Sequence, residues 1–189
     1  MKLIEDRILK NGVIIGNDTI KVDSFLNHQI DTKTLREFAK EVKKEFQGKE
    51  INKVLTIETS GIAVAYALAI EFGDVPLVFA KKSKSKITDD NAYKTSIKSF
   101  TRNIVSDVIV SKEYLCNTDK ILIADDFLAE GNAALGLIDL CKQAHAEVVG
   151  VSCVIEKYFQ GGHQKIEELG IKVYAGASIK EFKDNKPIF

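Results

Sequence analysis

The chain has no excess charge of either sign. Its 189 residues carry 27 lysines and arginines against 27 aspartates and glutamates, a formal net charge of zero. That balance gives no whole-chain attraction toward nucleic acid or an anionic membrane, so neither is expected as a partner. Long apolar runs are also lacking: no stretch approaches the roughly 18 residues that a membrane helix needs. The first residues, MKLIEDRILKNG, contain acids and no long apolar centre, which argues against a secretory leader. Proline occurs only at Pro76 and Pro187, and neither opens a linker. No repeat or low-complexity tract is visible. A chain of this length forms one domain, residues 1–189, with a core of its own.

Cysteine is sparse. Cys116, Cys141 and Cys153 are odd in number, widely spaced and without a CxxC pair. This excludes a disulfide framework and a zinc knuckle. Cys141 and Cys153 lie among apolar neighbours and are expected to be buried, reduced thiols in a cytoplasmic protein. His28, His145 and His163 form neither HxxxH nor HExxH, and there is no GxSxG. A histidine metal site and a serine hydrolase are set aside, and no metal is expected to be held by side chains alone.

What is present is an α/β pattern. Residues 2–11 predict a short helix ending at Gly12, and VIIGNDTIKV predicts a hairpin around Gly16-Asn17-Asp18. Residues 32–47 predict an amphipathic helix with Leu35, Phe38, Ala39, Val42 and Phe46 on one face, Asp31 at its start and Gly48 at its end. Strands and helices then alternate. KVLTIE, PLVFAK, KILIAD, EVVGVSCVIEK and IKVYAGA read as strands, and GIAVAYALAIEFG, GNAALGLIDLCKQAHA and HQKIEEL as helices. Continuous apolar strands between helices argue for a parallel sheet covered on both faces. Residues 92–111 instead alternate polar and apolar around Thr101-Arg102, as an inserted antiparallel hairpin would.

In such sheets ligands sit beyond the carboxyl ends of the strands. The first end is Glu58-Thr59-Ser60-Gly61, either an anion-binding turn or a serine-capped helix start. The second places Lys81, Lys82, Lys84 and Lys86 within six residues, either a polyanion grip or a solvated basic loop. The following ITDDNAY has the weak patterning of a lid. The third end, ILIADDFLAEGNAA, runs from an apolar strand into Asp125-Asp126 and then a glycine loop that opens a helix. Adjacent carboxylates accept hydrogen bonds from vicinal ribose hydroxyls, while loop amides and a helix start cradle a phosphate. The bland reading of the same acids is a helix cap or a structural Mg²⁺ site.

This third segment resembles the phosphoribosyl-pyrophosphate (PRPP) signature of the type I phosphoribosyltransferases. VDSFLNHQID at 22–31, IETSGIA at 57–63, VFAKKSKS at 78–85 and VIEKYFQ at 154–160 extend the resemblance, to the bacterial purine-salvage members, over nearly the whole chain. The signature departs in one respect: where many members carry threonines in the phosphate loop, this chain has Glu130 and Ala133. A carboxylate beside a phosphate is unfavourable unless it points away or faces a cation.

The resemblance implies the type I fold, a parallel sheet flanked by helices. It also implies a hood built from residues 1–30 and 157–189, and a flexible loop and hairpin at 83–111. The implied reaction moves the ribosyl phosphate of PRPP to a purine nitrogen, with Asp125 and Asp126 holding the ribose hydroxyls. Ala129, Glu130, Gly131, Asn132 and Ala133 would cradle the 5′-phosphate. Thr59, Ser60, Gly61, Lys81 and Lys82 would receive pyrophosphate, with Mg²⁺ bound through PRPP. Ile20, Asn27 and Lys157 would contact the purine, Lys157 at the 6-oxygen and Asn27 at the 2-oxo edge, which points to xanthine. Taken alone, Asn27 also reads as a turn residue and Lys157 as a partner for Glu156. Phe127 or Phe159 could cover the base or belong to the core. A homodimer is implied as well. The alternatives are a guanine or hypoxanthine transferase and a PRPP-sensing regulator without catalysis.

Overall fold

The computed structural model describes residues 1–16, 18–83, 91–98 and 105–189. Helix α1 (Lys2–Asn11) stops at Gly12, whose N–H donates to the Ile8 carbonyl at 2.8 Å. Strands β1 (Val13–Ile15) and β2 (Thr19–Lys21) form the expected hairpin, with Ile14 opposite Ile20. A single π-helical turn, Asp23–Asn27, presses Phe25 and Leu26 into the core. Helix α2 (Thr32–Glu45) begins at Asp31, whose carboxylate accepts from the Thr34 N–H at 3.0 Å. That bond satisfies one of the orphan donors of the first turn. The predicted apolar stripe is the buried one.

The remaining elements follow in order: β3 (Lys53–Ile57), α3 (Gly61–Glu71), β4 (Leu77–Ser83), β5 (Ala92–Lys98), β6 (Val105–Ser111), β7 (Lys120–Leu128), α4 (Asn132–Gln143), β8 (Glu147–Lys157), α5 (Gly162–Glu167), β9 (Val173–Ile179), β10 (Glu181–Lys183) and β11 (Lys186–Ile188). Seven strands make one sheet in the order β5-β6-β4-β3-β7-β8-β9. Strands β4, β3, β7, β8 and β9 are parallel, and the hairpin β5–β6 adds to β4 as an antiparallel edge. The turn expected at Thr101-Arg102, and residues 84–90 of the expected lid, lie outside the described residues.

Each sheet face carries its own apolar cluster, as the continuous apolar strands require. One joins α1, α2 and α3 to Val54, Leu122, Ala124 and Val154. The other joins α4 and the hairpin to Leu55, Ile121, Ile123 and Val151. Cys141 and Cys153 are buried in the second cluster, and burial pushes the Cys141 thiol up to about 12. No helix among the described residues is long and apolar enough to cross a membrane.

Two sequence expectations need correction, and one element was not foreseen. KILIAD does not end at its first acid: β7 runs through Asp125, Asp126 and Phe127 to Leu128, because β8 continues to pair alongside it as far as Glu156. PLVFAK likewise extends, and Lys81 and Lys82 lie within β4, held there by Ile109 and Val108 of β6. The C-terminal KPIF is half of an unforeseen hairpin, β10–β11, turned by Asp184 and Asn185 at φ +50° and +55°. Its Pro187 is buried, and Phe182 and Phe189 pack on the first apolar cluster.

Candidate active site

Asp125 and Asp126 are consecutive residues of a central strand, so their side chains leave opposite faces. Both are buried, at 8% and 7% exposure. Asp125 shares its face with Ile121 and Ile123, and its Oδ1 accepts from the Asp126 N–H at 2.9 Å. Burial above all, and then the neighbouring Asp126, push the Asp125 carboxyl well above the ordinary aspartate range; Lys82 acts in the opposite direction. Asp126 accepts from Asn27 Nδ2 at 2.5 Å, and its carboxyl also lies within hydrogen-bonding reach of the Asp125 carboxyl.

The β3–α3 turn closes on Asp125. A methyl group on Gly61 would stand 3.1 Å from Asp125 Oδ1 and 2.2 Å from Thr56 Oγ1, so only glycine lets the helix start come this close. Thr59 and Ser60 are exposed beside it. Ser60 occupies the N-cap position without a side-chain capping bond, which leaves its hydroxyl out of the serine-cap reading. The Glu58–Thr59 peptide is cis. Glu58 bridges to the next strand, its Oε1 accepting from the Lys82 N–H at 2.7 Å. The turn 58–61 and the β4 residues 81–82, two of the three strand ends singled out in the sequence, are thereby joined beside the acid pair.

The loop 129–133 follows β7 directly and rests on the start of α5. Gly131 adopts φ +84°, the left-handed region that favours glycine. The Gly162 N–H donates to the Ala129 carbonyl at 3.0 Å, and Lys165 Nζ donates to the Glu130 carbonyl at 3.0 Å. The Glu130 carboxylate accepts from Asn132 Nδ2 at 3.0 Å. The contact of this loop with α5 was not legible beforehand; the paired glycines Gly161-Gly162 were its available signal.

The expected purine residues come from three different elements. Ile20 is buried in the first apolar cluster. Asn27 is exposed, at the end of the π-helical turn. Lys157 is buried at the end of β8, and its amine has no hydrogen-bond partner among the described residues. Burial holds its amine below the usual lysine range, with Asp18 at the β1–β2 tip opposing that effect. The expected Lys157–Glu156 pair does not form. Glu156 points to the opposite face of the sheet and lies 2.6 Å from His163 Nδ1. Phe159 packs edge-on against Phe182 of the C-terminal hairpin, and Phe127 packs on the first apolar cluster.

Among the described residues, no group of three or more His, Cys, Asp and Glu side chains is arranged to hold a metal ion. The acid pair supplies two hard oxygen donors at one edge of the site. That fits a magnesium ion whose remaining ligands are substrate oxygens and water.

A model of the phosphoribosyl transferase domain matches residues 21–184. The chain is 51% identical over 189 residues to xanthine phosphoribosyltransferase of Clostridium novyi (strain NT), covering 100% of this chain and 99% of that protein. It is 48% identical to the Finegoldia magna protein of the same name, over 100% of this chain and 99% of that one. Among solved structures, adenine phosphoribosyltransferase from Rhodothermus marinus superposes with a TM-score of 0.75 at 22% identity, covering 95% of this chain and 100% of that one. At that identity the likeness speaks for the fold alone.

Proposed function

The chain belongs to the phosphoribosyl transferase domain family, and from that premise we propose that it transfers the 5-phosphoribosyl group of PRPP to xanthine. The bond from the anomeric carbon to pyrophosphate breaks, and its electron pair leaves with pyrophosphate. A bond from that carbon to a purine nitrogen forms, yielding xanthosine 5′-monophosphate. The observation that carries this reading is the buried Asp125–Asp126 pair, with the turn 58–61, the β4 residues 81–82 and the segment 129–133 gathered around its end of the sheet. Relatives 48–51% identical over the full chain are named for xanthine transfer, which supports the choice of acceptor.

Asp125 and Asp126 hold the ribose hydroxyls, and the Asp126 carboxylate favours the positive charge that develops as the glycosidic bond opens. The backbone of Ala129, Glu130, Gly131, Asn132 and Ala133 receives the 5′-phosphate. The tie from Asn132 gives the Glu130 carboxylate a neutral donor inside its own loop. Thr59, Ser60, Gly61, Lys81 and Lys82 receive pyrophosphate. Mg²⁺ bound with PRPP offsets the charge of the leaving group. Lys157 donates to the 6-oxygen, a role that suits a buried amine without another acceptor, and Asn27 meets the 2-oxo edge beside Ile20. Residues 1–30 and 157–189 form the hood over the base. The family reading also makes this a cytoplasmic homodimer in purine salvage.

The test is a purine panel with PRPP and Mg²⁺, following nucleotide formation from xanthine, guanine, hypoxanthine and adenine. Preference for xanthine is the expected result. Preference for another oxopurine would keep the reaction and overturn the base assignment. PRPP binding without turnover of any purine would make the chain a sensor instead of an enzyme.

A further inference from the structure

Asn27 stands apart from the other purine residues because its side chain is already engaged. Its Nδ2 lies 2.5 Å from Asp126 Oδ2. The two residues are 99 positions apart, so the contact exists only because the fold brings the N-terminal π-helical turn onto the central strand. The turn is anchored on both sides of the contact. Phe25 and Leu26 are buried in the same apolar cluster as Leu122 and Ala124, which share the Asp126 face of β7. Asp126 itself is buried, and Asn27 donates to its carboxylate. A primary amide carries two N–H groups and a carbonyl. One N–H is used by Asp126, and the exposed remainder of the amide is free to meet a ligand.

Resting on the proposed transfer reaction, we propose that Asn27 is a positioning residue for Asp126, so that its contribution to turnover does not depend on the 2-oxo group of the purine alone. It holds the carboxylate at the angle from which the ribose hydroxyls of PRPP are met. It also ties that angle to the segment against which the purine lies. Base recognition and ribose recognition are then two uses of one amide. A residue that reads only the 2-oxo edge affects xanthine alone. A residue that orients Asp126 affects PRPP with no purine present, and it affects hypoxanthine, which lacks the 2-oxo group.

The experiment measures binding of PRPP with Mg²⁺ to the full chain in the absence of purine, by calorimetry, for wild type, Asn27→Ala and Asn27→Asp. Steady-state turnover with xanthine and with hypoxanthine is measured beside it. Loss of a hydrogen bond to a carboxylate predicts PRPP affinity about tenfold weaker in Asn27→Ala. Asn27→Asp is predicted to be weaker still, because it sets a second carboxylate against Asp126. Hypoxanthine turnover falls together with xanthine turnover. In an Asp126→Asn background the Asn27→Ala effect on PRPP shrinks, as expected for residues acting as one unit. Unchanged PRPP affinity in both Asn27 variants, with the loss confined to xanthine, overturns the proposal. Wild-type protein that binds PRPP but turns over no purine overturns the reaction assignment, while the affinity comparison still decides the role of Asn27.

Discussion

Glu156 and His163 face each other across the junction of β8 and α5, with Oε2 and Nδ1 2.6 Å apart. Glu156 is 3% exposed and His163 is close to buried. Glu167 lies 3.3 Å from the other ring nitrogen, and the Tyr158 ring stands edge-on at 5.2 Å. The pair pins the start of α5, the helix on which the 129–133 loop rests. His163→Ala leaves a buried carboxylate without its partner and is expected to cost about 1.5–3 kcal/mol. It should also raise the KM for PRPP more than that for xanthine. Urea unfolding and two-substrate kinetics check both halves.

Gly162 admits no side chain. A methyl group there would lie 2.4 Å from the Ala129 carbonyl oxygen and 2.6 Å from the Gly131 nitrogen, both backbone atoms of the phosphate loop. Gly162→Ala therefore displaces the loop and is expected to raise the KM for PRPP by about tenfold or more. Gly161→Ala is the control. It meets open space at φ +80°, so its cost is backbone strain of roughly 1–2 kcal/mol in stability, with little effect on KM.

Burial holds Asp125 in favour of its neutral form. In the unfolded chain the same group ionises near about 3.9. Its protonated form thus adds stability that is fully present below that value and is lost as pH rises through the higher folded value. Asp125→Asn escapes this loss. Its stability should match wild type near pH 3, exceed it progressively as pH rises, and level off above the folded pKa. Each 1 kcal/mol gained corresponds to roughly 2–4 °C in Tm for a domain of this size. The same variant should lose about 10²-fold in kcat. Thermal melts across pH, paired with turnover, check both effects.

Lys157 is a buried amine with no partner among the described residues, and burial lowers its pKa. Lys157→Met keeps the apolar stem and removes the desolvated charge. It is expected to leave Tm unchanged or higher. It should also reduce kcat/KM for 6-oxopurines by about 10²-fold, since the remaining site no longer donates to the 6-oxygen. A melt and a purine panel read the two effects separately.

The sheet was legible because β3, β7 and β8 are continuous apolar runs, and the stripe of α2 because its apolar residues recur at helical spacing. The acid pair was legible as chemistry but misplaced in structure. Two adjacent carboxylates look like a strand end, yet β8 carries the pairing past them. The C-terminal hairpin was missed although Asp184-Asn185 is a turn signal of the kind that tolerates positive φ. The Asn27–Asp126 and Glu156–His163 contacts could not be read at all. Each depends on which of two opposite faces a strand residue presents, and that is settled by neighbours distant in sequence.

The amino group of Met1 donates to the Gly176 carbonyl at 2.5 Å, and Ile4 and Ile8 are buried in one cluster with Ala177 and Ile179. Two segments 175 residues apart in sequence are therefore seated against each other. At ribosomal speeds of about 5–20 residues per second, roughly ten seconds or more separate their appearance. Throughout that interval α1 presents its isoleucines to solvent, and the floor on which the Asn27 turn is mounted does not yet exist. Competence to bind a purine arrives only after β9 has been made.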